Sequence, residues 1–542
     1  MAKVRLKITP LLFSLLVPIF LWGLDPHQEK RKENFLRETR KEVILSQAED
    51  LLHFFSKKED WEACAQILLK KVSVLEKGKP VLDFLQAEPA LSIRQCLPHN
   101  EYKAKLLGYL AINCRREGNF VQAMKYYDAC LAIFYKNKNT GTLVAWAYKN
   151  AAQCAMRLLD YEKTYVYALR SLEADTSGTY LWINYASLSS ASYYLKHYEE
   201  ALAYFRKGLL LGGREAHRIS LNYTGAKIFA QLHKEKEARD LLQTNKKIIL
   251  SKQSYLPSSY YLAEADVLTS LDKYSLALPI LQKAIEVFHN DFPNIKSREA
   301  AKIYCQLGDV YLYLAQYDKA LEQYQKALFQ LFADFDDSNL HSNPPIESIY
   351  PESWIMTVLA NKGKTLLLKY QKENTDKKLL LDAKECFHLS LVASSALRTL
   401  YNGDDGKLYL QEYNTGTIEK AILSSYLLYE NTKDVVHLQE AYDYAEYHKA
   451  LVLREAIATN NAPFKTKVPS SLLSKEKELR AQVLRLKMQV NKEKSKSIAT
   501  DRQHLSRLQN KLTNAQNQYW VLIDDIKKNY PSFTFGLKQA NP

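Results

Sequence analysis

The sequence predicts an all-α protein, a solenoid of stacked antiparallel helix pairs followed by a C-terminal antiparallel coiled-coil hairpin. Three observations support this fold class. The 542 residues contain only 16 glycines and 16 prolines, and little of the alternation typical of strands. Small residues or their substitutes recur at positions 123, 164, 201, 238, 277 and 320, which lie 37 to 43 residues apart. After residue 470, apolar residues follow the stagger of a coiled coil.

The clearest helix pair covers residues 301–332, with a joint at residues 314–317. We expect Gly308 and Ala320 to let the two backbones approach closely, with Tyr311 and Tyr324 filling the space beside them. Equivalent positions in other pairs are predicted to have the same packing role. The predicted packing residues are Ala111, Ala123, Ala201, Gly308, Tyr311, Ala320, Tyr324 and Ala327.

This order of bulky, small and tyrosine positions resembles the tetratricopeptide repeat (TPR). The resemblance implies a superhelical solenoid, because a single pair cannot bury its own apolar face and neighbours must stack on it. It also implies a concave groove, lined by the first helix of each pair, that binds a protein or peptide partner. The candidate groove residues are Arg115, Arg116, Lys149, Gln153, Arg157, Tyr193, Tyr194, Asp309 and Tyr313.

The early part of the predicted groove is basic. Because Arg115, Lys149 and Arg157 are cationic, we expect an acidic peptide or a C-terminal carboxylate as the ligand. An ordinary solvated groove, with no ligand of its own, is the competing interpretation.

The first 24 residues have the pattern of a secretory signal peptide. Lys3, Arg5 and Lys7 precede an apolar stretch, and polar sequence follows from Asp25. We therefore expect export from the cytoplasm, to the periplasm or the medium. The alternative is a membrane anchor formed by residues 8–24, which is near the short limit for a span. The chain would then meet the membrane only through this segment.

The remaining chain is predicted to have four parts. These are a TPR solenoid over residues 25–334, longer TPR-like pairs over residues 350–460, a coiled-coil hairpin over residues 470–529 and an irregular tail over residues 530–542. The net charge of +15 is concentrated at the two ends, with +4 in residues 1–42 and +10 in residues 465–542. A solvated helix face explains the basic C-terminal part better than nucleic-acid binding, because no nucleic-acid-binding motif accompanies it.

Four segments in the second half carry a more specific resemblance. They are Tyr350-Pro351-Glu352, the run AYDYAEYHKA at residues 441–450, Val468-Pro469-Ser470, and Asn529-Tyr530-Pro531 with Lys538. Together they resemble the region ahead of the caspase-like CHAT domain in bacterial TPR–CHAT proteins. In that family the hairpin leads into a protease domain with a His/Cys pair, and this sequence stops where that domain should begin. The resemblance implies an alternative function, the regulatory half of a protease whose catalytic domain is lost or separately encoded.

No motif in the sequence predicts catalysis. Gly363-Lys364-Thr365 resembles the end of a phosphate-binding loop but lacks the earlier glycine, so we predict a helix there. Asp404-Asp405-Gly406 resembles part of a calcium loop and is predicted to be a turn between helices. Cys386 and His448 would form a dyad only if they were in contact. We therefore expect no enzymatic activity, no cofactor, no metal and no small-molecule substrate. The favoured function is an exported scaffold or adaptor.

Overall fold

A computed structural model describes residues 26–212, 215–251, 256–373, 376–401, 404–448, 468–494 and 502–530. Regular structure in these ranges is helical throughout, and the helices pair along the chain, which confirms the predicted all-α solenoid class. The chain divides into two compact units, Met1–Thr140 and Gly141–Pro542. The predicted signal peptide, residues 449–460 and residues 531–542 of the predicted tail lie outside the described residues.

The first unit contains seven helices in its described residues. They are α1 (Pro26–Arg37), α2 (Lys41–Lys57), α3 (Trp61–Val74), α4 (Lys79–Gln86), α5 (Ala90–Cys96), α6 (Glu101–Arg116) and α7 (Phe120–Lys136). Two antiparallel pairs, α2 with α3 and α6 with α7, are linked by the short helices α4 and α5. Ile44, Phe55 and Leu68 are among the fully buried residues of the core that these helices enclose.

The second unit continues the series of pairs. Its described helices are α8 (Thr142–Arg157), α9 (Tyr161–Ala174), α10 (Leu181–Tyr194), α11 (Tyr198–Leu210), α12 (Glu215–Gln231), α13 (Glu235–Leu250), α14 (Ser258–Ser270), α15 (Tyr274–Asp291), α16 (Arg298–Tyr313), α17 (Tyr317–Leu331), α18 (Ser353–Glu373), α19 (Lys377–Arg398), α20 (Asp404–Thr432), α21 (Val435–His448), α22 (Ser470–Lys494) and α23 (Arg502–Asn529). Helices α22 and α23 pack together over an apolar seam that includes Leu479 and Ile526.

The same type of turn joins the two helices of a pair at seven places. In each turn a single residue has a positive φ, and the next residue donates its N–H to a carbonyl five residues earlier. At Ala315, φ is 55°, and Gln316 N donates to Tyr311 O at 2.9 Å. The left-handed residues are Glu59, Gly118, Leu159, Lys196, His233, Asp272 and Ala315. The turn satisfies carbonyl groups that the end of the first helix would otherwise leave unpaired.

The structure places most of the predicted packing residues inside the helix pairs. Ala111, Ala123, Ala201, Ala320, Tyr324 and Ala327 are completely buried. Gly308 faces the ring of Tyr324, and a Cβ added at Gly308 would lie 2.5 Å from Tyr324 Cε1. The ring of Tyr324, rather than the backbone at Ala320, therefore occupies the space at Gly308. Tyr311 is only half-buried, with Lys319 Nζ 5.7 Å from its ring centroid, so it contributes less packing than expected.

Two other predicted segments can be compared with the helices. Gly363-Lys364-Thr365 lies within α18, as predicted. The prediction of a turn at Asp404-Asp405-Gly406 is wrong, because α20 begins at Asp404 and these residues form its first turn.

Substitution of two mid-helix glycines by alanine should have opposite effects on stability. Gly308→Ala places a methyl group against the Tyr324 ring and should destabilise the protein by about 1–3 kcal/mol. At Gly416 in α20, the nearest atom to an added Cβ is Lys420 Nζ at 3.4 Å, so Gly416→Ala should stabilise by up to about 1 kcal/mol. Chemical denaturation of both variants measures the difference. Equal effects on the free energy of unfolding would contradict the packing of the Tyr324 ring against Gly308.

Candidate functional site

Within the second unit, the turn between α8 and α9 contacts residues that lie far away in the sequence. Arg298 Nη2 donates to Arg157 O at 3.4 Å, and Tyr401 Oη donates to Leu158 O at 2.6 Å. Both carbonyls belong to the C-terminal end of α8, where intrahelical partners are lacking. These contacts border a cavity of about 390 Å³. Its lining residues come from the end of α8, the start of α9 and the turn between them, and from helices α10, α12, α14, α16, α18 and α20.

One wall of the cavity is aromatic. The rings of Tyr161 and Tyr194 stack with centroids 4.4 Å apart, and Tyr409 packs edge-on against Tyr161 at 5.0 Å. Tyr193 contacts Tyr194 at 5.1 Å, and Tyr413 Oη shares a hydrogen bond with a threonine hydroxyl of α18. Burial raises the pKa of Tyr161 well above its usual value and that of Tyr193 to about 12. The phenols of Tyr161 and Tyr193 are therefore neutral at physiological pH and can act as hydrogen-bond donors.

A charged cluster lies on another wall. Asp266 forms an ion pair with Lys227, accepts a hydrogen bond from Gln306, and lies 3.6 Å from Lys302 Nζ. Burial opposes ionisation of Asp266, but the two lysines and the hydrogen bonds outweigh it and lower the pKa to about 2. For Lys227 the charge of Asp266 likewise outweighs burial and raises the pKa. The cluster therefore remains ionised and carries one more positive than negative charge.

Two arginines and a tryptophan also line the cavity. Arg298 Nε lies 3.1 Å and 3.0 Å from the two carboxylate oxygens of Glu352, and its guanidinium lies 5.9 Å from the Trp354 ring centroid. Arg157 Nη1 is 3.6 Å from Glu299 Oε1, and about half of the Arg157 side chain is exposed. Arg157 is therefore the cation of the lining that a ligand can reach most easily.

Three of the predicted groove residues, Arg157, Tyr193 and Tyr194, line this cavity. Lys149 and Gln153 lie earlier on α8, and Lys149 Nζ is 5.2 Å from the ring centroid of Tyr180. Neither residue is part of the lining.

The other four predicted residues lie elsewhere. Arg115 and Arg116 occupy the last turn of α6, in the first unit. Tyr313 is 58% exposed and stacks on Tyr274 at 4.1 Å. Asp309 Oδ1 accepts hydrogen bonds from Tyr324 Oη and Asn361 Nδ2, each at 2.7 Å, so Asp309 is engaged inside the helix packing.

Sequence reasoning missed most of the lining. The missed residues include Tyr161, Lys227, Asp266, Arg298, Trp354, Tyr409 and Tyr413. The unusual number of tyrosines, 37, was a signal that aromatic contacts matter. It could not show which of them meet, because Tyr161 and Tyr409 come together only through the superhelical path of the chain.

Neither a metal site nor a membrane-spanning helix is found in the described ranges. No group of His, Cys, Asp and Glu residues there is arranged to hold a metal ion. No helix there is both long enough and apolar enough to cross a membrane.

Comparison with known proteins agrees with the repeated helix pairs. Residues 255–328 match the tetratricopeptide repeat family. The matched segment corresponds to the two pairs formed by α14 with α15 and α16 with α17. The chain is therefore a TPR-containing protein. No curated protein matches it by sequence.

Several solved structures are similar to the chain. A tetratricopeptide repeat protein from Parabacteroides merdae has 16% identity and a TM-score of 0.33, over 57% of this chain and 97% of that one. A STAND protein with a tetratricopeptide repeat sensor, from Pyrococcus horikoshii, has 15% identity and a TM-score of 0.34, over 73% and 67% of the two chains. The Cut9–Hcn1 hetero-tetramer of APC/C has 11% identity and a TM-score of 0.29, over 74% of this chain and 87% of that one. Similarity at this level carries no information on partner or activity.

The buried carboxyl group of Asp309 should make stability depend on pH. Burial raises the pKa of Asp309 to about 6, so its ionisation above that pH disfavours the folded state. Asp309→Asn keeps an accepting oxygen and removes the charge. The free energy of unfolding of the variant minus that of the unsubstituted protein should be larger at pH 8 than at pH 4, by on the order of 1–3 kcal/mol. Denaturation across this range measures the difference, and parallel pH profiles would contradict the assignment.

Proposed function

We propose that this TPR-containing protein is an exported scaffold or adaptor that holds a protein or peptide partner in the cavity of its second unit. The observation that carries the proposal is the combination, in one cavity, of five tyrosines, a tryptophan and four cationic side chains. Aromatic residues and arginine are enriched at the centres of protein interfaces, where they supply large contact areas and directional hydrogen bonds. TPR arrays in general mediate protein–protein contacts.

The charge of the cavity favours an acidic segment or a C-terminal carboxylate. Arg157, Lys227, Arg298 and Lys302 face one lining carboxylate, Asp266. Glu352 neutralises Arg298, and Glu299 lies close to Arg157, so the whole group retains a net charge of about +1. A ligand carboxylate could replace Glu299 beside the half-exposed guanidinium of Arg157, while neutral phenols donate hydrogen bonds to the same group.

Charge reversal at Arg157 should weaken binding of such a segment. The probe is a library of synthetic peptides that vary in their last residues, each made with a free and an amidated C-terminus. The unsubstituted protein should select acidic or free-acid peptides, and Arg157→Glu should reduce their affinity at least about tenfold.

The matched control is Arg116→Glu, a charge reversal on the exposed end of α6 in the first unit. It should leave affinity unchanged. If no peptide is selected, or if both reversals reduce affinity equally, this assignment of the ligand is wrong.

Export is the second part of the proposal, and it rests on the basic, apolar and then polar pattern of residues 1–24. N-terminal sequencing of the protein from its native cells should find a mature chain beginning near Leu24 or Asp25. An intact Met1 in a cytoplasmic soluble fraction would contradict export. An intact Met1 in membranes would favour the anchor formed by residues 8–24.

The third part is that the chain has no catalytic activity of its own. Cys386 is completely buried, its Sγ donates to Asn343 Oδ1 at 3.3 Å, and burial raises the pKa of the thiol to about 11. A buried, protonated thiol is a poor nucleophile. Peptide hydrolysis by the purified protein that Cys386→Ala abolishes would overturn this part of the proposal.

The alternative is the regulatory half of a caspase-like CHAT protease. The resemblance over residues 350–538 supports it, as does the contact of the hairpin with α9, beside Tyr161 of the cavity. Sequencing the DNA beyond the codon for Pro542 and in the next gene separates the two functions. A caspase-like His/Cys pair encoded there would favour the regulatory half, and its absence would favour the adaptor.

A further inference from the structure

The C-terminal hairpin packs on α9, the helix that also supplies Tyr161 to the cavity. Gln516 Nε2 of α23 donates to Glu162 Oε1 at 2.6 Å, and Lys487 Nζ of α22 lies 3.0 Å from the same oxygen. The Trp520 ring packs edge-on against Tyr167 at 5.9 Å. Both helices of the hairpin therefore contact the carboxylate of Glu162, and Trp520 packs on α9 close to it.

Glu162 also contacts the start of α20. Its second oxygen, Oε2, accepts from Gly406 N at 3.3 Å. Three residues later, Tyr409 packs against Tyr161, the chain neighbour of Glu162. One carboxylate with a relative exposure of 6% thus joins the hairpin on one side to the aromatic wall of the cavity on the other.

We propose that the hairpin is a releasable strap, and that its docking on Glu162 is coupled to the position of α20 and hence to closure of the cavity. When the hairpin leaves, the Glu162 carboxylate loses the donor from Gln516 and the charge of Lys487 and gains access to water. Hydration of this carboxylate competes with the long hydrogen bond from Gly406, which frees the first turns of α20 and the Tyr409 ring.

The contacts of the hairpin favour release as a separate event. Its own apolar seam, which includes Leu479 and Ile526, does not include Trp520, so the hairpin keeps its core when it detaches. In the described contacts, the attachment to α9 combines hydrogen bonds, an ion pair and the packing of Trp520 on Tyr167. Interfaces that include polar contacts of this kind allow packed elements to move relative to one another.

Hydrogen exchange of the whole chain tests the coupling. The double variant Gln516→Ala/Trp520→Ala should increase exchange about tenfold or more in two places, α23 and residues 404–413. Helix α15, which is distant in sequence and not in contact with the hairpin helices in the described contacts, should be unchanged and so reports on global unfolding. The matched control is Met488→Ala, at a hairpin side chain that is 65% exposed, and it should change none of the three segments.

Faster exchange in α23 with unchanged exchange in residues 404–413 would overturn the proposal. If α15 also exchanges faster in the double variant, the single variant Gln516→Ala decides by the same criterion. The inference concerns regulation of the cavity in the proposed function, but its test requires no peptide. Failure of peptide capture and failure of strap coupling are therefore separate results.

Discussion

The contact between a glycine on one helix and an aromatic ring on another sets how closely neighbouring helices pack. Tyr324 fills the space at Gly308, and Phe205 lies as close to Gly225, where an added Cβ would be 2.4 Å from the ring. In seven of the described pairs the turn has one residue with a positive φ at the same position, so these pairs share a similar geometry. In a repeat array such local geometry accumulates into superhelical curvature.

That curvature brings together parts of the second unit that are more than a hundred residues apart. The C-terminal carbonyls of α8 accept hydrogen bonds from Arg298 and Tyr401, which arrive from later turns of the array. The cavity is therefore a consequence of long-range closure, and no single repeat contains it. This explains why its residues come from seven different places in the sequence.

The chemistry of the cavity depends on charges that compensate one another. Asp266 stays ionised in spite of burial because Lys227 and Lys302 lie beside it. The buried carboxylate of Glu162 is stabilised by Lys487 and by hydrogen bonds from Gln516 and Gly406. Charges held in this way are sensitive to the removal of a single partner, because a buried carboxylate without compensation is costly. Binding of an anionic group and movement of the hairpin would both act on this balance.

The sequence by itself determined the helix pairs, because apolar periodicity and small residues such as Gly308 and Ala320 are local properties of the chain. Repeat positions also predicted Arg157, Tyr193 and Tyr194 as groove residues, and these three line the cavity. Only the tertiary structure decided that Tyr161 meets Tyr409, that Asp266 meets Lys302, and that Glu162 receives the hairpin. These contacts depend on the summed rotation of many pairs, and a small change in each pair would move the partners apart.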